Sequence, residues 1–299
     1  MKKITVLLFA FILLFLPFNT FAYEVDGYLE NTFGEISVIN SPGAGSNVIE
    51  ESKLPLNTIM LKANFNQYVF KEWADYYSIT LGTNFLSSST DDTTIYQYTT
   101  NINNKESKLK GESDLDNIYF DLLLANYLLE YSTPNESYLV LIGFEYDNYS
   151  YDVMDGYFYD YGADSKTTIG GKISYHQIQY HIPYLGLIFN RNFNNSLKNR
   201  FIFKFSPYAY TNNKSNNFYE DYTNDSKNTG NYLSLSNNIR YKLNKDMYIT
   251  GGFKYKLLDA NGKGSRYYYS GSMEGTTYDL KTDIESEEYG VNVGIQYLF

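Results

Sequence analysis

From Tyr289 to Phe299 every second residue is apolar: Tyr289, Val291, Val293, Ile295, Tyr297 and Phe299, with Gly290, Asn292, Gly294 and Gln296 between them. A period of two sends these sets to opposite faces of a strand. The same dyad recurs upstream. Ile59, Leu61, Ala63 and Phe65 alternate with Met60, Lys62 and Asn64, and Tyr77, Ile79, Leu81 and Phe85 with Ser78, Thr80, Gly82 and Asn84. Tyr138, Val140, Ile142, Phe144 and Tyr146 stand opposite Gly143, Glu145 and Asp147. Further dyads run through Phe201–Tyr210, Leu233–Tyr241 and Met247–Lys256, with weaker ones at Glu30–Ile39 and Ile118–Leu124. A stretch from Gln177 to Tyr184 sets Ile178, Tyr180, Ile182 and Tyr184 against Gln177, Gln179 and His181. With the terminal segment the pattern predicts ten strands, apolar on one face and polar on the other, as a membrane-spanning barrel requires. For the sixth strand this places Gln177, Gln179 and His181 in the lumen and His176 outside near the outer rim.

The connections alternate in length. Long ones are expected at Asn40–Pro55, Ser87–Asp116, Asp152–Lys172, Thr211–Asn231 and Asp259–Ser286, and short ones near Val69–Asp75, Glu130–Glu136, Asn190–Asn199 and Leu243–Asp246. Long loops on one side and short turns on the other are the asymmetry of an outer-membrane barrel. The expected class is therefore all-β: a single ten-stranded antiparallel transmembrane barrel over residues 23–299. Inward Lys62, Asp121, Glu145, Lys204, Arg240, Lys254 and Lys256 would fill its lumen with ion pairs, which weighs against a wide pore.

The start of the chain adds a compartment. Met1-Lys-Lys precedes a nearly unbroken apolar run from Ile4 to Phe18, and Thr20-Phe21-Ala22 supplies small residues, so a secretory leader is expected at 1–22 with cleavage after Ala22. No later run reaches the roughly 18 apolar residues of a membrane helix. There is no cysteine, so no disulfide framework and no thiolate metal site. The 34 Tyr and 20 Phe suit interfacial girdles, with rings in lipid and hydroxyls in water. The chain carries 24 basic and 34 acidic residues; without Lys2 and Lys3 the formal charge falls to −12. An acidic surface excludes nucleic acid as the expected partner. No metal and no resident cofactor are expected, and the barrel is expected to act as a monomer.

Particular residues then carry a resemblance. Ile173-Ser-Tyr-His-Gln-Ile-Gln-Tyr-His-Ile-Pro-Tyr-Leu-Gly-Leu187 resembles the sixth strand of omptins, and Phe203-Lys-Phe-Ser-Pro-Tyr208 the seventh. Tyr119-Phe-Asp-Leu, Leu128-Leu-Glu and Glu51-Ser-Lys-Leu-Pro-Leu-Asn57 are fainter echoes in the same order. The C-terminal Phe299 resembles the end of bacterial outer-membrane proteins. Omptins are outer-membrane endopeptidases that cleave between basic residues, so the resemblance implies a site at the barrel mouth. There an Asp-x-Asp pair on one wall and an Asp-x-His pair on the other activate a water. It also implies lipopolysaccharide as a lipid partner, and a peptide or host surface ligand.

The implied site is incomplete. Counting from Tyr119-Phe-Asp121, the Asp-x-Asp pair falls on Asp91 and Thr93, with Asp92 reached by a one-residue slip. The Asp-x-His pair should fall within Ser215–Phe218, which holds neither Asp nor His, although Glu220 and Asp221 lie just beyond. General base chemistry needs a group within hydrogen-bond reach of the water, and the two histidines, His176 and His181, are both in the sixth strand. Three readings remain open. One is an omptin-like barrel that has lost peptidase chemistry and acts through its outer loops as an adhesin or binding protein. The second is a divergent peptidase using Asp91 or Asp92, and the third a small porin or structural barrel.

Overall fold

The computed structural model describes residues 23–42, 47–53, 56–66, 74–84, 88–98, 105–128 and 131–299. The expected leader lies outside them, as does most of the expected turn at Val69–Asp75. Twelve strands follow one another: β1 (Tyr23–Pro42), β2 (Asn47–Lys53), β3 (Leu56–Asn66), β4 (Tyr76–Asn84), β5 (Ser88–Tyr98), β6 (Lys105–Tyr127), β7 (Glu136–Asp160), β8 (Ser165–Asn192), β9 (Leu197–Asn217), β10 (Tyr222–Lys242), β11 (Met247–Tyr268) and β12 (Thr277–Leu298). The pairing is antiparallel throughout, and β1 pairs with β12 from Glu24–Leu298 to Pro42–Leu280, which closes the ring. Closure satisfies every backbone group that would otherwise face lipid.

The twelve strands occupy ten positions. β3 pairs with β1 over Tyr23–Thr32 and β2 over Glu35–Asn40, so together they make one wall strand. Likewise β4 and β5 both pair with β6, end to end. Short turns at 193–196 and 243–246 mark the inner end of the barrel. Above it, outward Leu29, Val140, Ile142, Leu187, Ile249, Val291, Val293 and Ile295 form an exposed apolar belt. Such a belt is stable only against hydrocarbon.

Two expectations are corrected. The long loops expected at Ser87–Asp116, Asp152–Lys172, Thr211–Asn231 and Asp259–Ser286 are largely strand: β7 to β12 run 21 to 28 residues, twice or more the roughly 10 that cross a bilayer. Beyond the belt the outer surface meets water, so apolar alternation fades while the ladder continues. The connecting turns shrink to residues 161–164, 218–221 and 269–276.

The second correction concerns β8. Ile178, Tyr180, Ile182 and Tyr184 are the buried, inward residues, and Gln177, Gln179 and His181 face outward. His181 packs against Phe144 and Tyr146, with ring centroids 6.3 and 5.2 Å away, and against Tyr210 at 5.8 Å. His176, expected outside, is inside and 3% exposed. Leu185 and Leu187 share the parity of Gln179 and His181, and they are the lipid-facing pair. Polarity marks the lumen only where the exterior is lipid; above the belt both faces carry polar residues, and inward Thr211, Asn213 and Ser215 are buried as Ile178 is.

Candidate functional site

At mid-height the lumen is filled by charge. Lys204 Nζ donates to Asp121 Oδ2 at 2.8 Å and Glu145 Oε2 at 3.0 Å. Lys256 Nζ donates to Asp147 Oδ2 at 3.0 Å and lies 2.8 Å from Glu145 and 3.7 Å from Glu288. Phenols complete the acceptors: Tyr184 donates to Asp121 at 2.5 Å, Tyr232 to Glu145 at 3.0 Å, and Tyr149 to Asp147 and Glu288 at 3.0 and 3.1 Å. Buried ions persist only when paired and hydrogen-bonded like this. The alternation of β6 to β12 delivers these side chains to one level.

Above this plug the interior turns to hydroxyls and aliphatics, with one acid–imidazole pair. His176 Nδ1 lies 2.8 Å from Glu50 Oε1, and Nε2 is 2.8 Å from Ser174 Oγ. The ring stacks on Tyr151, centroids 5.0 Å apart and planes at 17°. Tyr151 donates to Glu50 Oε1 at 2.5 Å and accepts from Ser52 Oγ at 2.9 Å. Burial, and then the Glu50 carboxylate, push the Tyr151 phenol well above its usual range. Thr93 continues the chain to Ser52 at 3.4 Å and to Ser113. The order Glu50, His176, Ser174 is that of a hydrolytic relay. Ser174, however, has no exposed surface, and His176 and Glu50 are only 3% and 4% exposed. A nucleophile must reach its substrate, so the cluster acts as a clamp that ties β2 to β7 and β8. The parity of Leu185 and Leu187, traced back along the strand, was the signal that would have placed His176 inside.

The sequence-predicted acids fall elsewhere. Asp91 and Asp92 lie in β5, where the pairing with β6 slips between Thr90 and Thr93; their side chains are outside the described residues. Thr93, at the second position of the expected pair, is buried in the hydroxyl chain. On the facing wall the inward residues are Ser215 and Asn217. Asn224 Nδ2 donates to Ser215 Oγ at 3.1 Å, while Asn217 Nδ2 donates to Glu220 at 3.0 Å and to Tyr222 Oη at 3.2 Å. Asn217 Oδ1 also caps the turn, accepting from the backbone N–H of Tyr219 and Glu220. Asp221 sits in that turn at φ 56°, its carbonyl accepting from Tyr269 N–H. These positions build a turn, not an acid–base pair.

The outer rim is aromatic. Above Ser174, β8 pairs with β7 but not with β9, so this hairpin stands proud of its neighbour. Phe158 packs on Tyr219 at 5.4 Å and Tyr159 on Tyr161 at 4.9 Å. Lys166 lies 4.0 Å over Tyr157, and Lys172 5.5 Å from Phe218 while paired with Asp152 at 2.7 Å. Tyr161, Phe218, Tyr219 and Tyr267 remain exposed. Rigid amphipathic rings with few rotatable bonds are what binding surfaces favour. This crown was not anticipated, because its segments were expected to be loops.

Comparison with known proteins fits this architecture. The model described as the Omptin family matches residues 116–299. No curated protein sequence matches the chain significantly. Among solved structures, the outer membrane protease OmpT from Escherichia coli aligns with a TM-score of 0.78 at 16% identity, covering 94% of this chain and 98% of that one. The outer membrane protein OprG from Pseudomonas aeruginosa aligns at 11% identity over 94% of this chain and 96% of its own, with a TM-score of 0.40. At such identities the first likeness speaks for the fold.

Proposed function

The chain belongs to the omptin family, and on that premise we propose that this outer-membrane barrel binds partners through its extracellular aromatic crown and does not cleave peptides. The observation that carries the reading is the make-up of the two expected catalytic walls. Thr93 replaces a carboxylate on one, and Ser215 and Asn217 replace the acid and imidazole on the other. Each is engaged with its neighbours. The one buried imidazole, His176, is held by Glu50 and Ser174 away from solvent. A leader ending at Ala22 and lipopolysaccharide around the belt belong to the same proposal, as does a peptide or host surface ligand for the crown. Cells displaying the protein should be retained on a panel of immobilised serum glycoproteins. The triple substitution Tyr161→Ser, Phe218→Ser, Tyr219→Ser should abolish retention while preserving display. Retention that the triple variant leaves intact, or no retention at all, would refute the crown as a binding surface.

A further inference from the structure

Below the ion-pair plug lies a cavity of about 90 Å³, lined among others by Asp26, Lys62, Arg200, Lys204, Arg240 and Lys254. It holds several waters or one small ion, since a single water needs only about 10–15 Å³ on this measure. Three of its five cations have a carboxylate partner: Lys204 with Asp121, Lys254 with Glu30 at 3.1 Å, and Arg240 with Glu24 at 3.4 Å. The other two do not. Arg200 donates to Asn190 Oδ1 at 2.8 Å and to the Tyr76 hydroxyl at 2.7 Å, both neutral. Lys62, among the described residues, makes no hydrogen bond or ion pair at all.

The third misfit is Asp26. It stands directly across the strand pair from Lys62 yet forms no ion pair with it. One of its oxygens accepts from Asn64 at 3.0 Å, and the other, Oδ1, is buried with no partner. Two unpaired cations and one unpaired carboxylate leave an uncompensated positive charge inside the barrel. Buried groups in that state are costly. They also ask for one kind of guest: acceptor oxygens for Lys62 and the free guanidinium N–H groups of Arg200, and an O–H donor for Asp26.

We propose that this cavity binds one small protonated oxyanion, of which hydrogen phosphate is the simplest, between Lys62, Arg200 and Asp26. The protonated form matters. A fully deprotonated oxyanion such as sulfate satisfies the two cations but has no O–H to offset its repulsion with Asp26. The site lies outside the outer half that carries the proposed binding function, and its ceiling is the Lys204 network, so its ligand enters from the periplasmic end.

The test follows the thermal unfolding of the full barrel in zwitterionic micelles at neutral pH, titrated with inorganic phosphate or with sulfate at matched ionic strength. The wild type should be stabilised saturably by phosphate and at least about tenfold less effectively by sulfate, as expected when a charge-assisted hydrogen bond is lost. Lys62→Met removes a side chain without partners, so the variant should fold with unchanged gel mobility when unheated, and phosphate should no longer stabilise it. Lys62→Arg should restore much of the response. Asp26→Asn should narrow the gap between phosphate and sulfate. Equal stabilisation by the two anions, no saturable response, or an undiminished phosphate response in Lys62→Met would each overturn the proposal.

Discussion

The two halves of this barrel use one hydrogen-bond ladder in two solvents, and their side-chain logic differs. In the belt, Leu185, Leu187, Val291 and Val293 point out and are exposed, while Lys204, Glu145 and Lys256 point in and are buried. In the outer half, Gln177 and Gln179 point out, and Ile178, Tyr180, Ile36 and Ile284 point in. β8 passes through both regimes without changing its parity. The same backbone is thus read as an inside-out protein where it meets lipid and as an ordinary water-facing shell where it leaves it. Stability at mid-height comes from paired buried charge; above, it comes from apolar burial and neutral hydrogen bonds such as Asn224–Ser215 and Thr282–Asn228, with the Glu50–His176 clamp among them.

The sharpest way to break the inner half is Lys256→Met. It strips the cation from Glu145, Asp147 and Glu288 at once. Removing one member of a buried ion network costs about 3–5 kcal/mol, so the urea midpoint of the refolded barrel should fall steeply. In the outer half the corresponding loss is apolar. Ile178→Ala should cost about 2–5 kcal/mol, as large-to-small core changes do. Its neighbour Gln179→Ala should stay within about 0.5 kcal/mol, as surface changes do. Equal costs for the two would mean that the β8 register is one residue off.

The clamp is a smaller contributor. Glu50→Ala leaves the Tyr151 hydroxyl without its acceptor and His176 without its carboxylate neighbour, and should cost about 1–3 kcal/mol, with faster amide exchange in β2 and β8 and little change in the belt. The same region gives a pH test. Burial is the main reason that the Tyr151 and Tyr222 phenols sit above their ordinary value, with Glu50 adding to Tyr151. A group whose folded value is raised gives its full stabilisation below the unfolded value and loses it as pH rises. The outer half should therefore hold to about pH 10 and weaken above it, with tyrosinate absorbance from these residues appearing only as it opens.

Nearly all of the belt was legible in the sequence, because lipid on one side and charge on the other write a strong dyad. Phe201, Phe203 and Phe205 against Lys204 and Ser206 left one choice of face. The outer strands were not legible as strands: residues such as Lys227, Asn228, Thr229 and Gly230 carry no hydrophobic period, although they pair residue by residue with β11. The face of β8 was misread for the same reason, since Gln177, Gln179 and His181 are polar but belong to the water side. The missing Asp-x-His was legible as an absence at Ser215–Phe218. What could not be read was the Glu50–His176 contact, which joins residues far apart in sequence across the barrel interior.

The central claim is that the outer half of this omptin relative presents a binding crown over walls without an acid–base pair. The direct measurement is hydrolysis of a fluorogenic dibasic peptide by the refolded barrel in lipopolysaccharide, beside Asp91→Ala, Asp92→Ala and His176→Gln variants. The account predicts no turnover above the buffer rate for the wild type or any variant. Turnover by the wild type that is lost in Asp91→Ala or Asp92→Ala would contradict it and restore the peptidase.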